Sequence, residues 1–304
     1  MVDVATIKKL REASGAGMLD CKKALVENGG DYEEAMDWLR KKGIASASKK
    51  GGRSASEGLV GVTISGKQAA IVEVNSETDF VAKNDKFKNL VAQISEVAVS
   101  FSDVNITEAK LGDGKTIAES VIEAISTIGE NIVVRRFAKL EVENGFIASY
   151  IHNAATDSLG KIGVIISIKS QQNNEASNLL ARQIAMHIAA SRPVSVSAEG
   201  VSQDLINKEK EIFSEQAKAS GKPENIIEKM VEGRIRKFFE EITLLDQIFV
   251  LDGKAKVKDI ISAFNKENNC DFEVKEFVRY ELGEGVEKEE KNFADEVNSM
   301  VSGT

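Results

Sequence analysis

Cysteine, proline, histidine and tryptophan are nearly missing from this chain of 304 residues, which has two, two, two and one of them. Cys21 and Cys270 stand far apart with no CxxC spacing, which excludes a disulfide framework and a cysteine-built zinc site, so both read as inert, partly buried thiols. Two prolines are too few for a proline-rich disordered region, and no apolar run approaches the roughly 18 residues of a membrane span. Neither a secretory apolar run nor an Arg/Ser-rich transit segment precedes the first helical pattern, so a cytoplasmic location with no membrane partner is expected. Basic charge is not in excess either. Lysine and arginine total 40 against 48 aspartates and glutamates, a formal net charge of −8, whereas a surface that displaces counterions from phosphates needs the opposite sign. No direct nucleic-acid contact is expected, and a protein partner is the better default.

Catalytic constellations are lacking as well. The sequence has no Walker A glycine loop, no GxSxG elbow and no HExxH. His152 and His187 fall in different elements, and His187 sits in the apolar run Ile184-Ala185-Met186-His187-Ile188, the setting of a structural histidine. A hydrolase built on either one would lack a paired nucleophile. Gly283-Glu284-Gly285 is no phosphate cradle, because Glu284 repels an anion. No covalent chemistry, metal or cofactor is expected.

What is there is a chain of 42% hydrophobic residues, long enough for a sizeable core and for more than one domain. Residues 3–43 read as three short helices, with Val4, Ile7 and Leu10 on one face of the first and Ala35, Met36 and Leu39 on one face of the third. Asp31 is placed to cap the third helix, with Glu34 three residues on. Residues 44–57, small and basic, read as a linker. From residue 58 the period becomes strand-like, with Leu59–Ile64 and Ala69–Val74 joined through Ser65-Gly66-Lys67, followed by a helix carrying Phe87, Leu90, Val91, Ile94, Val97 and Ala98. The same order returns in residues 145–152, 162–168 and the helix around Leu179–Ala185, where Gln183-Ile184 repeats Gln93-Ile94. The expected class is α+β, with a duplicated strand-strand-helix core whose first half spans 58–141 and whose second spans 142–202 and 241–282. Residues 203–240 read as an inserted antiparallel helical hairpin, a protruding coiled-coil arm. Ile242–Val250 reads as a strand, Val257–Phe264 as a helix, Phe272–Glu281 as a strand and about 290–300 as a closing helix in a C-terminal module, 283–304.

The two strand-helix connections differ. The second, Ser170-Gln171-Gln172-Asn173-Asn174-Glu175, is wholly polar, whereas the first contains Thr78-Asp79-Phe80-Val81. On residue type alone Phe80 reads as an anchor in its own core or as a partner contact, and Asp79 as an N-cap of the next helix.

Several segments resemble the elongation factor Ts family, in order and over essentially the whole chain. Leu10-Arg11-Glu12 and Gly15-Ala16-Gly17-Met18-Leu19-Asp20-Cys21-Lys22-Lys23-Ala24-Leu25 resemble its ubiquitin-associated-like module, and Val74-Asn75 with Thr78-Asp79-Phe80-Val81-Ala82-Lys83 resemble its second signature. Further similarities are His187-Ile188-Ala189-Ala190-Ser191, Ser220-Gly221-Lys222-Pro223, Lys229-Met230-Val231-Glu232-Gly233-Arg234 and Gly283-Glu284-Gly285-Val286-Glu287-Lys288. The resemblance implies a partner-binding helical module at 1–43, the two-halved core, the coiled coil and the C-terminal module. It implies a guanine-nucleotide exchange factor of translation elongation whose partner is the GTPase elongation factor Tu. Thr78, Asp79, Phe80 and Val81 would then disturb the partner's magnesium site, and Arg11, Met18, Leu19, Val250 and Met300 would bind the partner. Leu19 stands where the family often has methionine. A scaffold or chaperone-like binder without exchange activity is the alternative, and homodimer formation is left open.

Overall fold

In the computed structural model, which describes residues 2–218 and 223–286, three helices open the chain: α1 (Val4–Ser14), α2 (Met18–Glu27) and α3 (Tyr32–Lys50). Asp31 caps α3 as expected, its carboxylate accepting the Glu34 N–H at 2.9 Å. Ile7, Leu10, Cys21, Ala24, Leu25, Ala35 and Leu39 form a small core of their own, while Val4 is exposed. The helix α3 does not stop at Gly43. It runs through most of the segment read as a linker, because the small residues that suggested a tether are what its packing requires: Gly43 lies against Ser126, and Ala47 is buried in the next core.

Two antiparallel sheets follow. The first has the order β3-β2-β1-β5, from β1 (Glu57–Ser65), β2 (Gln68–Ser76), β3 (Ile132–Glu141) and the two-residue β5 (Leu159–Gly160). The second has the order β4-β6-β7, from β4 (Gly145–His152), β6 (Ile162–Lys169) and β7 (Glu273–Glu281). The helices α4 (Asp85–Ser100) and α5 (Ile117–Ile128) cover the outer face of the first sheet, and α6 (Glu175–Ser191) and α9 (Val257–Asn268) that of the second. Between the sheets Val60, Val62, Ala69 and Ile71 meet Ile147 and Ile165. β2 is therefore buried on both faces, which is why its sequence is a nearly unbroken apolar run. Close approach of the sheets depends on Gly163, where a Cβ would lie 2.7 Å from Val60 Cγ1.

The two sheets share backbone irregularities. Gly58, second in β1, and Gly145, first in β4, have φ 125° and 148° and face the carbonyls of Val74 and Ile168. Opposite those residues the middle strands lose register with the third strands at the same place, between Glu73 and Val74 and between Ser167 and Ile168. The helices that follow are capped by Asn84 and Asn174. Nine residues, 75–83, separate Val74 from its cap, and five, 169–173, separate Ile168 from its own, so the first connection is longer by four.

A buried carboxylate joins the sheets to the Gly283-Glu284 segment. Glu73, fully buried in β2, accepts from Arg135 at 3.0 Å, Arg136 Nε at 2.5 Å and the Gly283 N–H at 2.8 Å. Arg136 also stacks over the Tyr280 ring at 4.2 Å, and Gly283, at φ 71°, passes the Ser56 carbonyl with no room for a Cβ. Gly283, no part of a phosphate cradle, is a structural joint between the sheets and the end of β7.

α7 (Gln203–Lys218) and α8 (Glu224–Ile242) pack antiparallel: Phe213 meets Phe238 edge-on at 6.5 Å, and further along α7 Gln216 binds the earlier Arg234. Residues 220–222 of the connecting turn lie outside the described residues, as do the helix expected at 290–300 and Met300. Ile242–Val250 is not a strand. Ile242 ends α8, Thr243 bonds back to the Phe239 carbonyl through both N–H and hydroxyl, and Leu244–Asp246 forms one 3₁₀ turn that buries Leu244 in the second core. Only single bridges remain there, Ser195 to Thr243 and Ile248 to Lys256.

Candidate functional site

The longer connection leaves β2 at Ser76 and is held at several points. The Ser76 hydroxyl donates to the Thr78 carbonyl at 3.0 Å. The Glu130 carboxylate takes both Thr78 donors, the N–H at 2.9 Å and the hydroxyl at 2.6 Å. Glu77 Oε1 accepts the Asn131 N–H at 2.6 Å and faces Arg53 at 3.5 Å, while the Asn131 amide donates to the Arg53 carbonyl at 2.8 Å. On the far side Val81 and Ala82, in the 3₁₀ turn Val81–Lys83, are buried in the first core, and Asn84 caps α4 by accepting the Lys86 N–H. The loop is thus fixed before and after Asp79 and Phe80.

Those two residues point outward. Phe80 is 74% exposed, so it is no anchor of its own core, and the cap of α4 is Asn84, not Asp79. Lys83 reaches back to both, 3.4 Å from the Asp79 carboxylate and 5.3 Å from the Phe80 ring centroid. Val81 faces inward, so within the motif it is the root and Phe80 the tip. An exposed phenyl ring on a braced loop has burial worth about 1.5–3 kcal/mol to offer to another surface.

The other residues named from the sequence lie elsewhere. Arg11 is exposed on α1, and Met18 and Leu19 are exposed at the start of α2, Leu19 at 83%. Val250 is half exposed beside exposed Ile248 and Leu251. Its backbone is held by His187, whose Nδ1 accepts the Val250 N–H at 3.3 Å while Nε2–H donates to Gln247 Oε1 at 2.9 Å. Burial pushes the His187 pKa below its ordinary value against the opposing bond from Gln247, and the neutral ring is the form that can accept from Val250. The structural reading of His187 therefore stands, with an added task of shaping the Val250 turn. Among the described residues no group of three or more His, Cys, Asp or Glu is placed to hold a metal ion, and no helix is long and apolar enough to cross a membrane.

Sequence reasoning missed the supports, Arg53, Glu130 and Asn131. The polar Gly129-Glu130-Asn131 turn was a visible signal, yet Glu130 lies 52 residues from Thr78 and only the fold brings them together.

Comparison with known proteins places these features in context. A family described as elongation factor TS matches residues 77–284, beginning at the loop itself, after β1 and β2, and continuing through the rest of the core. Elongation factor Ts of Allorhizobium ampelinum is 52% identical over 305 residues, covering 99% of each chain. The Rickettsia bellii protein of the same name is 48% identical over 304 residues, covering 99% of this chain and 98% of its own, and that of Rhizobium leguminosarum is 51% identical over 305 residues, covering 99% of each. With agreement at this level from end to end, the chain belongs to the elongation factor Ts family.

Proposed function

We propose that the chain is a guanine-nucleotide exchange factor in translation elongation, which binds elongation factor Tu carrying GDP and promotes GDP release so that GTP loads. The observation that supports this most is Phe80, exposed at the tip of a four-residue extension whose flanking residues are hydrogen-bonded or buried. A nanomolar dissociation constant corresponds to about −12 kcal/mol, so release must be driven by contacts that favour the nucleotide-free partner. Linkage makes this reciprocal: GDP weakens the factor as much as the factor weakens GDP.

Magnesium in the partner requires strict octahedral geometry, and Asp79 with Phe80 would disturb that site by displacing nearby backbone. Phe80 burial falls short of the roughly 5.5 kcal/mol that a ten-thousandfold acceleration needs, so other contacts must share the strain. Arg11, Met18, Leu19 and Val250 are assigned to docking, together with Met300 of the C-terminal module. The α7–α8 hairpin would serve as a coiled-coil arm and residues 1–43 as a ubiquitin-associated-like module. No bond-making chemistry is assigned to the chain itself.

Release of a fluorescent GDP analogue from elongation factor Tu, chased with excess GDP, tests the reading. Acceleration by the native chain, largely lost in Asp79→Ala/Phe80→Ala, is expected. Unchanged release at saturating factor would leave the scaffold alternative in its place.

A further inference from the structure

The two halves of the core share one brace between the strand-helix connection and the turn preceding the third strand, and each has a second of its own kind: in the first half Glu130 holds the Thr78 backbone and hydroxyl, whereas in the second the Gln172 side chain donates to the Asn268 carbonyl at 3.4 Å. Both third strands carry their extra residue at the same point, Arg135 in β3 and Lys275 in β7, and both preceding helices end on a left-handed residue, Gly129 and Asn269. Asn131 therefore corresponds to Asp271, Glu130 to Cys270 and, by the matching register of the middle strands, Glu77 to Gln171. The shared brace joins corresponding positions with donor and acceptor exchanged. In the first half the Asn131 N–H donates to Glu77 Oε1 at 2.6 Å, and in the second the Gln171 N–H donates to Asp271 Oδ1 at 2.9 Å.

Glu130 departs from this symmetry. Its counterpart Cys270 turns to Asn265 Oδ1 at 3.2 Å, whereas Glu130 grips the N–H and hydroxyl of Thr78. Thr78 lies in the connection that is longer in this half, so the added carboxylate accompanies the added residues. We infer that Glu130 is a positioning residue for nucleotide exchange, fixing through Thr78 the direction in which the loop presents Asp79 and Phe80. This rests on the reading of that loop as the exchange contact. With its N–H held by Glu130 and its carbonyl by Ser76, Thr78 fixes the peptides on both of its sides, two residues before Phe80. Thr78 is exposed, so without Glu130 its donors turn to water and the fold loses little, while the loop gains a spread of directions.

The test measures GDP release from elongation factor Tu against factor concentration. Glu130→Ala is expected to lower the maximal rate about tenfold or more while the half-saturating concentration moves less than about twofold, because the docking residues are untouched. Glu130→Gln should restore most of the rate, since its amide offers an oxygen to the Thr78 N–H and an NH₂ to the hydroxyl, which can rotate to accept. On an Asp79→Ala/Phe80→Ala background Glu130→Ala should add no further loss. A native maximal rate in Glu130→Ala alongside a slow Phe80→Ala overturns the positioning role alone, and a native rate in Phe80→Ala removes the loop reading and this inference with it. If Glu130→Ala folds poorly, Thr78→Val, which takes only the hydroxyl, is expected to slow release about threefold, and a native rate there overturns the inference.

Discussion

Replacing Glu73 by alanine strips a fully buried carboxylate from Arg135, Arg136, the Gly283 N–H and the Asn75 amide at once. Removing one partner of a buried ion pair costs about 3–5 kcal/mol, most of it from the charge left behind. The lower end applies, because Arg135 and Arg136 keep 27% and 30% side-chain exposure and Arg136 retains Glu284 at 3.3 Å. A loss of about 3 kcal/mol lowers the melting midpoint of a 304-residue chain by roughly 5 °C. Urea and thermal unfolding followed by circular dichroism would read it. If stranded arginines are the cause, adding Arg135→Met and Arg136→Met to a Glu73→Leu chain should recover all but about 1–2 kcal/mol, the remainder coming from the unpaired Gly283 N–H and Asn75 amide. An alanine variant within about 0.5 kcal/mol of native, or a triple variant no better than the single one, would refute the reasoning.

Other perturbations separate the tip of the loop from its root. Phe80→Ala should leave stability within about 0.5 kcal/mol, since the ring is solvent-facing, whereas Val81→Ala should cost about 2 kcal/mol in the same unfolding assay. Gly58→Ala and Gly145→Ala should each destabilise by more than about 2 kcal/mol, because a Cβ would sit 2.2 Å and 1.8 Å from strand carbonyl oxygens; near-native melting of either would refute the packing. His187 has its folded pKa below the ordinary 6.5, so the unfolded chain takes up the proton first on acidification. Its contribution is fully present above about pH 6.5 and is lost as pH falls below that value. A His187→Gln chain should lack this slope in stability against pH, and an unchanged slope would contradict it.

Much of the fold could be read because burial writes itself into periodicity. α4 and α6 bury one face at helical spacing, whereas β1, β2 and β6 are buried on both faces and stand out as short continuous apolar runs between turn residues. β3 escaped notice because the bulge inserts Arg135 beside Arg136 and breaks its alternation. α5 escaped although Thr116 and Glu119 form a capping box at its start. α3 was cut short because glycine, alanine and serine suit a tether and a closely packed helix alike. The apolar run 242–250 was misread because its side chains sink into the core from a 3₁₀ turn and isolated bridges, a geometry with no period. At the site, the motif residues were visible and their supports were not: Thr78 and Phe80 are neighbours in sequence, whereas Glu130 and Arg53 arrive by folding.

The unbroken course of α3 changes how the N-terminal helices meet anything that also touches the core. A flexible connector would leave Arg11, Met18 and Leu19 to search for their contacts, and each binding event would have to quench that motion anew. α3 instead sits against α5, through Gly43 at Ser126 and an ion pair between Arg40 and Glu119 at 2.6 Å, so the search is completed during folding. Under the proposed docking, a partner spanning Leu19 and Phe80 would then meet two prongs whose spacing is set by helix packing and not by a tether, and it would bind according to how well its own spacing fits.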